Sequence, residues 1–209
     1  MTKPWYVVAC LLLLELCVIL LLIPSNWMQQ QIVKEASYVE TSLGIETRDW
    51  IHEKANAWFN RSVMESGIYD EMYRTVIPTD AEKRKSRGME NMGHDWFTWL
   101  EGRMIAVLAA FYQFLTRCAL FLAWSPYMLL LLFPAIFDGW TSWKIKRTNF
   151  DYSSPVLHRY SVRGTAVLLI GLLLTFCAPI ALTPMLIPAV MMSCCVLLGL
   201  AMGNLQKRI

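Results

Sequence analysis

The chain has 209 residues, of which 56% are hydrophobic and 17% are charged, and its net charge is +3. A soluble domain usually has about 45–50% apolar and about 25% charged residues. The apolar excess falls in blocks of roughly 20 residues, the length that crosses a hydrocarbon core of about 30 Å. The composition therefore predicts an integral membrane protein, and it gives no support to direct contact with nucleic acid.

The first apolar block, residues 1–24, predicts transmembrane helix 1. A cleavable signal peptide would have a shorter apolar core and a cleavage site of small residues. The sequence Ile23-Pro24-Ser25-Asn26-Trp27 offers no such site. We therefore expect an uncleaved anchor whose N-terminus lies in the cytoplasm.

Residues 25–103 form a long polar segment with ten Lys and Arg and thirteen Asp and Glu. The lack of a positive excess is compatible with the periplasmic side of the membrane. Apolar residues recur there at spacings of three and four, which is typical of helices. Gly44 and Gly67 divide the segment, and Thr79-Asp80-Ala81-Glu82 has the pattern of a capping box. We expect a helical periplasmic domain.

Residues 104–137 predict a long transmembrane helix 2. We expect this helix to start outside the membrane near Trp96, with Asp95 as its N-cap. Pro126 should kink the helix without ending it, because lipid offers no other partner for backbone groups. The alternative is two short membrane segments that meet at Pro126, which would place everything after them on the opposite side.

Residues 138–163, the basic connector, have five Lys and Arg and two Asp. Such an excess is typical of cytoplasmic loops. Asp138-Gly139 suits a turn that leaves helix 2, and Ser154-Pro155 suits a helix start. The cations could bind anionic lipids, and Trp140 and Trp143 suit the membrane interface.

Two further apolar blocks, residues 164–183 and 184–209, predict transmembrane helices 3 and 4, with a tight turn near Thr183-Pro184 and a cytoplasmic tail with Lys207 and Arg208. The sequence thus predicts an all-α membrane protein. It would have four transmembrane helices, a helical periplasmic domain between helices 1 and 2, and both termini on the cytoplasmic side of a bacterial inner membrane.

Glu15 lies in the middle of the first apolar block. An ionisable side chain at that depth costs free energy unless it is paired. We therefore expect Glu15 either to have a function or to be paired in the packing of the helices. Arg117 and Gln113 are its candidate partners within the chain. The alternatives are a contact with a partner protein and a role in proton or ion transport.

Cys195, Gly199 and Gly203 recur every four residues and form a stripe of small side chains. Such stripes let membrane helices approach closely. We expect the stripe to pack against helix 3, against another subunit of a homo-oligomer, or against a partner.

Residues for catalysis or metal binding are not apparent. The sequence has no nucleophile elbow, no phosphate-binding loop and no HExxH motif. His52 and His94 could share a site, but no acids stand at ligand spacing, and the six cysteines all lie in apolar stretches. We expect no enzyme, no metal and no cofactor.

The connector resembles one known family. Its Asp138-Gly139, the basic residues 144–147, and Ser154 with His158-Arg159 are similar to motifs of membrane proteins encoded by integrating conjugative elements and conjugative plasmids (domain of unknown function 4400). Lysine replaces the usual arginine at Lys144 and Lys146, and Val156-Leu157-His158 stands where Tyr-His is expected.

This resemblance implies a role in conjugative DNA transfer through type IV secretion. Genes of that family lie near the gene of the coupling ATPase, which implies a non-catalytic accessory subunit that binds the membrane domain of that ATPase. The alternatives are a small transporter that uses Glu15 and an exclusion or assembly factor that acts through the periplasmic domain. The residues expected to bind a partner are Glu15, Arg117, Asp138, Trp143, Lys144, Lys146, Arg147, His158, Arg159, Cys195, Gly199 and Gly203.

Overall fold

A computed structural model describes residues 4–76, 90–149 and 152–205, and the regular structure in these ranges is helical throughout. The all-α prediction is confirmed for them, whereas the capping box at residues 79–82 lies outside them. The helices are α1 (Pro4–Leu22), α2 (Ser25–Leu43), α3 (Ile45–Phe59), a π-helical turn (Asn60–Met64), α4 (Ile68–Val76), α5 (Glu90–Thr148), α6 (Pro155–Cys177) and α7 (Leu186–Gly203).

In the part of the chain that the structure describes, three stretches are long and apolar enough to cross a membrane: Trp99–Thr148 within α5, Pro155–Cys177 and Leu186–Gly203. Residues Tyr6–Leu22 and Ser25–Leu43 satisfy the same test only as a pair, and the pair bends by 117° at its break. The described residues therefore contain three candidate membrane spans, or up to four if the bent pair is one span. Helices satisfy their own backbone hydrogen bonds, as lipid requires.

The chain divides into two compact units. The first unit comprises Met1–Ala119 and Cys177–Ala181, and the second comprises Leu120–Phe176 and Leu182–Ile209. The long helix α5 contributes to both units, and so does the loop between α6 and α7.

Glycines separate the short helices of the first unit, as predicted. Gly44 has φ +86° and Gly67 has φ +75°. Residues other than glycine rarely adopt such backbone angles. Between them, Ile51, Ala55 and Val63 are buried at spacings of four and eight. The predicted apolar helix face therefore forms part of the core of this unit.

Helix α5 has 59 residues and contains Pro126 and Pro134 in its interior. The prediction that Pro126 does not end the helix is confirmed. The prediction of a turn at Asp138-Gly139 is wrong, since α5 continues to Thr148. The helix also begins by Glu90, so Asp95 is not its N-cap.

Gly139 serves helix packing, which explains why it lies inside α5 and not in a turn. A Cβ atom at Gly139 would lie 2.5 Å from the carbonyl oxygen of Gly199 on α7. A Cβ atom at Gly199 would lie 3.0 Å from the carbonyl oxygen of Ala135, and one at Gly203 would lie 3.5 Å from the Cβ atom of Ser142. The small-residue stripe of α7 thus lies directly against α5.

Helix α6 begins as the sequence predicts. Ser154 precedes Pro155, and its hydroxyl oxygen accepts a hydrogen bond from the backbone N–H of Leu157 at 3.3 Å. This is an N-cap followed by proline at the first helical position. The helix ends at Cys177, before the predicted Thr183, because residues 178–185 form a loop whose carbonyls bond to side chains of the first unit.

Candidate functional site

A buried ion pair lies in the first unit, between Glu35 on α2 and Arg117 on α5. Arg117 is 0% exposed and Glu35 is 2% exposed. The Nε atom of Arg117 lies 3.0 Å from Oε1 of Glu35, and its Nη2 atom lies 2.9 Å from Oε2. Gln113, one turn earlier on α5, donates to the same Oε2 atom at 2.7 Å. We call Glu35, Gln113 and Arg117 the polar node.

The polar node also holds the loop between α6 and α7. Arg117 donates from Nη1 to the carbonyl of Ala178 at 2.7 Å, and from Nη2 to the carbonyl of Ile180. Gln113 donates to the same Ile180 carbonyl at 3.4 Å. These bonds are partly buried, and a carbonyl that is left unpaired away from water costs about as much free energy as a lost hydrogen bond.

Helix α2 adds two more contacts to this loop. The Oε1 atom of Gln31 accepts a hydrogen bond from the N–H of Ala181 at 3.1 Å, and the indole N–H of Trp27 donates to the carbonyl of Pro179 at 3.2 Å. Trp27, Gln31 and Glu35 follow one another at intervals of four. One face of α2 therefore contacts both the loop and the buried Arg117.

Only arginine suits the central position of this node. Its guanidinium group presents a planar fork of donors that can bind one carboxylate and two carbonyls at once, whereas lysine presents a compact point charge. A buried charge without such partners would be strongly destabilising. The arrangement can hold two helices and a loop in position.

Glu15 is not the carboxylate that Gln113 and Arg117 bind. It lies on α1 with Val8, Leu12 and Ile19 along the less exposed stripe of that helix. Arg117 attracts its carboxylate electrostatically, yet its buried Oε2 atom has no hydrogen-bond partner among the described residues. The sequence analysis missed Glu35 because an acid in a polar segment draws no attention. The signal was the spacing of Trp27, Gln31 and Glu35.

A smaller polar contact links α3 to α5. Nδ1 of His52 lies 3.1 Å from the hydroxyl of Tyr112, and the two rings are stacked. Burial, followed by the nearby Arg48 guanidinium, lowers the pKa of His52. The side chain of His94 lies outside the described part of the chain, so the pairing of the two histidines stays a prediction. Among the described residues, no group of three or more His, Cys, Asp and Glu could hold a metal ion.

In the second unit, side chains converge on the C-terminal end of α7. Lys146 donates from Nζ to the carbonyl of Gly203 and to Oδ1 of Asn204, both at 3.1 Å. Nδ1 of His158 lies 2.8 Å from the carbonyl of Ala201, which makes Nδ1–H the donor. The N–H of Ser154 donates to Oδ1 of Asn204 at 3.4 Å. A positive charge at this end complements the helix dipole.

Other cations of the connector point away from the protein. Lys144 lies over the ring of Trp140 at 4.8 Å, and Arg147 lies over the ring of Trp143 at 5.6 Å. Four exposed side chains, which we call the outward cations, are Lys144, Arg147, Arg159 and Arg163.

The predicted contact residues thus fall into different environments. Several are engaged within the chain, and others are exposed on the second unit. Arg117, Lys146, His158, Cys195, Gly199 and Gly203 belong to the first group, whereas Asp138, Lys144, Arg147 and Arg159 belong to the second. Trp143 is partly exposed and its indole N–H is buried without a partner in the described structure. Partner binding by these residues stays a prediction.

The family model described as IncC plasmid conjugative DNA transfer protein DtrJ-like matches residues 22–208. The chain belongs to this DtrJ-like family. Neither a curated protein nor a solved structure matches the chain.

Membership of the DtrJ-like family confirms the predicted class, a protein of conjugative DNA transfer. The narrower family name, the position of the gene beside that of a coupling ATPase and the contact with that ATPase stay predictions. The matched range covers all of the helices α2 to α7, and with them the polar node.

Proposed function

We propose that this protein is a non-catalytic accessory subunit of the conjugative DNA transfer machinery, embedded in the bacterial inner membrane, that binds the membrane domain of the type IV coupling ATPase. The observation that carries the proposal is the family match over residues 22–208, in a chain with three or more membrane-spanning stretches. A protein of DNA transfer that is itself built from apolar helices acts at the membrane step of that process.

The non-catalytic role rests on how the polar node is used. The donors of Arg117 and Gln113 bind Glu35 and the loop carbonyls of Ala178 and Ile180. These side chains are therefore occupied in holding the fold. A nucleophile or general base would have to reach a substrate, and the node is buried.

We further propose that α1 provides the contact with the ATPase. Among its described side chains only Ile19 is buried, whereas Leu13, Leu14 and Leu21 are about three-fifths exposed. Association of membrane helices is driven mainly by packing between their surfaces. A helix with so little burial against its own chain has most of its surface left for another membrane domain. Helix α1 precedes the matched range, so this contact is proposed for this chain alone.

The proposed orientation follows from the outward cations. They lie at the ends of α5 and α6, and lysine and arginine near membrane helices favour the cytoplasmic side. The helices α2 to α4 then lie in the periplasm, and both termini lie in the cytoplasm.

Site-specific photo-crosslinking tests the proposed partner. A photoreactive phenylalanine analogue would replace Leu14 on α1, Phe133 on α5 or Val167 on α6, all outward-facing positions, and the buried Ile187 would serve as the control. We expect Leu14 to capture the coupling ATPase in conjugating cells and Ile187 to capture nothing. Absence of the ATPase at all three outward positions, and from gentle co-purification, would contradict the proposal.

A transporter is the second candidate, favoured by the unpartnered Oε2 atom of Glu15 near Arg117. It predicts ion or proton flux into liposomes that hold the purified chain, and loss of that flux in Glu15→Gln. Liposomes without flux would remove this candidate and leave the accessory role intact.

A further inference from the structure

Among the described residues, the charged side chains of the second unit lie at one end of it. Residues 120–137 and 164–205 contain no Asp, Glu, Lys or Arg. Among the described residues of this unit, five cations and one acid, Asp138, all lie between positions 138 and 163. The end of α5, the start of α6 and the end of α7 meet there through the hydrogen bonds of Lys146 and His158. One end of the unit is therefore basic and the other is uncharged.

Most of this positive charge has no ion-pair partner among the described residues. Lys146 is bound to the end of α7, whereas the four outward cations form no ion pair with any described residue. Arg48 in the first unit is partly exposed, and it pairs with Glu40 at 2.6 Å and Asp49 at 2.7 Å. The outward cations are thus available to an anion outside the protein.

One face of α5 changes from apolar to aromatic to cationic along its length. Leu130, Phe133 and Phe137 are 76%, 78% and 62% exposed, and they are followed at intervals of three or four by Trp140 and then by Lys144. Apolar side chains suit the hydrocarbon, tryptophan suits the interface, and long basic side chains reach to the headgroups. The order on α5 is the order of these layers.

The first turns of α6 show a similar order in reverse. Arg159, Tyr160 and Arg163 are exposed, and they are followed by Val167, which is 68% exposed, on the same side of the helix. From here to Gly203 no charged residue occurs. Both α5 and α6 therefore place cations and aromatic rings together at the limit of their apolar stretch.

We propose that the outward cations Lys144, Arg147, Arg159 and Arg163 form a binding surface for the phosphate groups of anionic phospholipids. Trp140 and Trp143 lie beneath Lys144 and Arg147 and hold these two cations at the level of the headgroups. An anionic lipid suits these cations better than a protein partner does. The reason is that one face of α5 continues without a break from side chains that suit the hydrocarbon to the cations. This surface goes beyond the proposed function and does not depend on contact with an ATPase.

Lipid selectivity measured by electron spin resonance tests this surface. The full chain would be reconstituted in phosphatidylcholine vesicles, and the motionally restricted fraction of spin-labelled phosphatidylglycerol would be compared with that of spin-labelled phosphatidylcholine. We expect the wild-type protein to favour phosphatidylglycerol by about fivefold at low ionic strength, the factor that one basic residue near an anionic surface supplies. Added salt should reduce this preference, since it screens exposed charges.

Two variants, each with four charges removed, make the test specific. In the first, all four outward cations are replaced by glutamine. The matched control carries Lys34→Gln, Lys54→Gln, Arg61→Gln and Arg74→Gln in the first unit, where all four residues are exposed and two lie over aromatic rings. We expect the first variant to lose the preference and the control to retain it. A third variant, in which lysine and arginine are exchanged at the outward positions, should retain it.

Three results would overturn the proposal. They are equal selectivity in the wild type and the first variant, an equal loss in the control, and displacement of the anionic lipid by millimolar inorganic phosphate, which would indicate a site for the free anion. The first variant could keep its lipid selectivity and no longer co-purify with the ATPase. In that case the outward cations bind a protein, and the proposal that they bind lipid phosphates is wrong. Thermal unfolding of all variants in detergent shows whether each is folded.

Discussion

Arg117 of the first unit and the outward cations of the second unit hold positive charge in opposite environments. In the first unit, Arg117 is fully buried and binds a carboxylate and two carbonyls of its own chain. In the second unit, Lys144 and Arg147 lie on the surface over tryptophan rings, with no acidic partner among the described residues. Positive charge is therefore bonded within the chain at Arg117 and exposed at Lys144 and Arg147.

The units also differ in how their helices are held together. The first relies on hydrogen bonds between distant segments, such as those that join α2, α5 and the loop of residues 178–181. The second brings α5 and α7 together through Gly139 and Gly199, where the backbones approach closely. A buried charge requires a partner of opposite charge and hydrogen-bond acceptors or donors at the right positions. Close packing of helices requires small side chains where the backbones approach. Substitutions should therefore harm each unit by a different mechanism.

The largest effect is expected for Arg117→Leu. This change leaves the Glu35 carboxylate buried without its cation, and breaking one side of a buried ion pair typically costs about 3–5 kcal/mol. The free energy of unfolding in mild detergent, compared with the wild type, measures this loss. Arg48→Leu, which breaks an exposed ion pair, is the control and should change stability little. Equal effects of the two changes would show that the polar node is not a stabilising centre.

Gly139→Ala should have the next largest effect. Its Cβ atom would lie 2.5 Å from the carbonyl oxygen of Gly199, so α5 and α7 must move apart. Overpacking of this kind costs about 1–3 kcal/mol. Gly171→Ala on α6 is the matched control, because no atom lies within 4 Å of the Cβ atom it introduces. Thermal unfolding should separate the two variants, and destabilisation by Gly171→Ala alone would refute the packing argument.

Lys146→Met should destabilise the second unit by about 1 kcal/mol. It removes a cation that binds the carbonyl of Gly203 and the side chain of Asn204 at the end of α7. Lys144→Met removes an exposed cation two residues earlier and should leave the unfolding temperature unchanged. The pair of variants tests whether burial of the contact, and not charge alone, sets the stability. Identical unfolding curves would show that it does not.

A small pH dependence is expected from His52. Burial lowers its pKa in the folded protein below the unfolded value of 6.5, so the unfolded state binds the proton more readily. The stability contribution of His52 is thus complete above pH 6.5 and decreases as the pH falls from there towards the folded pKa. Unfolding measured at several pH values should show this decrease in the wild type and a flatter profile in His52→Gln. Parallel profiles would contradict the argument.

Much of the architecture could be predicted because membrane helices leave a strong local signal. Apolar length predicted the later spans, and the serine–proline pair predicted the start of α6. Glycine was harder to interpret. Gly44 and Gly67 break helices, whereas Gly139 lies inside one and lets α7 approach, and only the neighbouring helix distinguishes these roles.

The buried pair could be predicted only in part. Arg117 and Gln113 were predicted as partners of Glu15, because an ionisable side chain in an apolar block needs pairing, but the carboxylate that they bind is that of Glu35. Glu35 did not stand out, because its own surroundings in the sequence are polar. Its role depends on a contact across 82 positions of the chain. Such contacts leave no local pattern beyond the spacing of Trp27, Gln31 and Glu35.

The distance along the chain between the members of the polar node also fixes the order in which the node can be completed during synthesis. Glu35 and Arg117 are made early, but the carbonyls of Ala178 and Ile180 that Arg117 binds are made only after α6 has been translated. Until then the arginine has its carboxylate and lacks its loop. A nascent chain that stops within α6 therefore lacks the two loop carbonyls that complete the polar node.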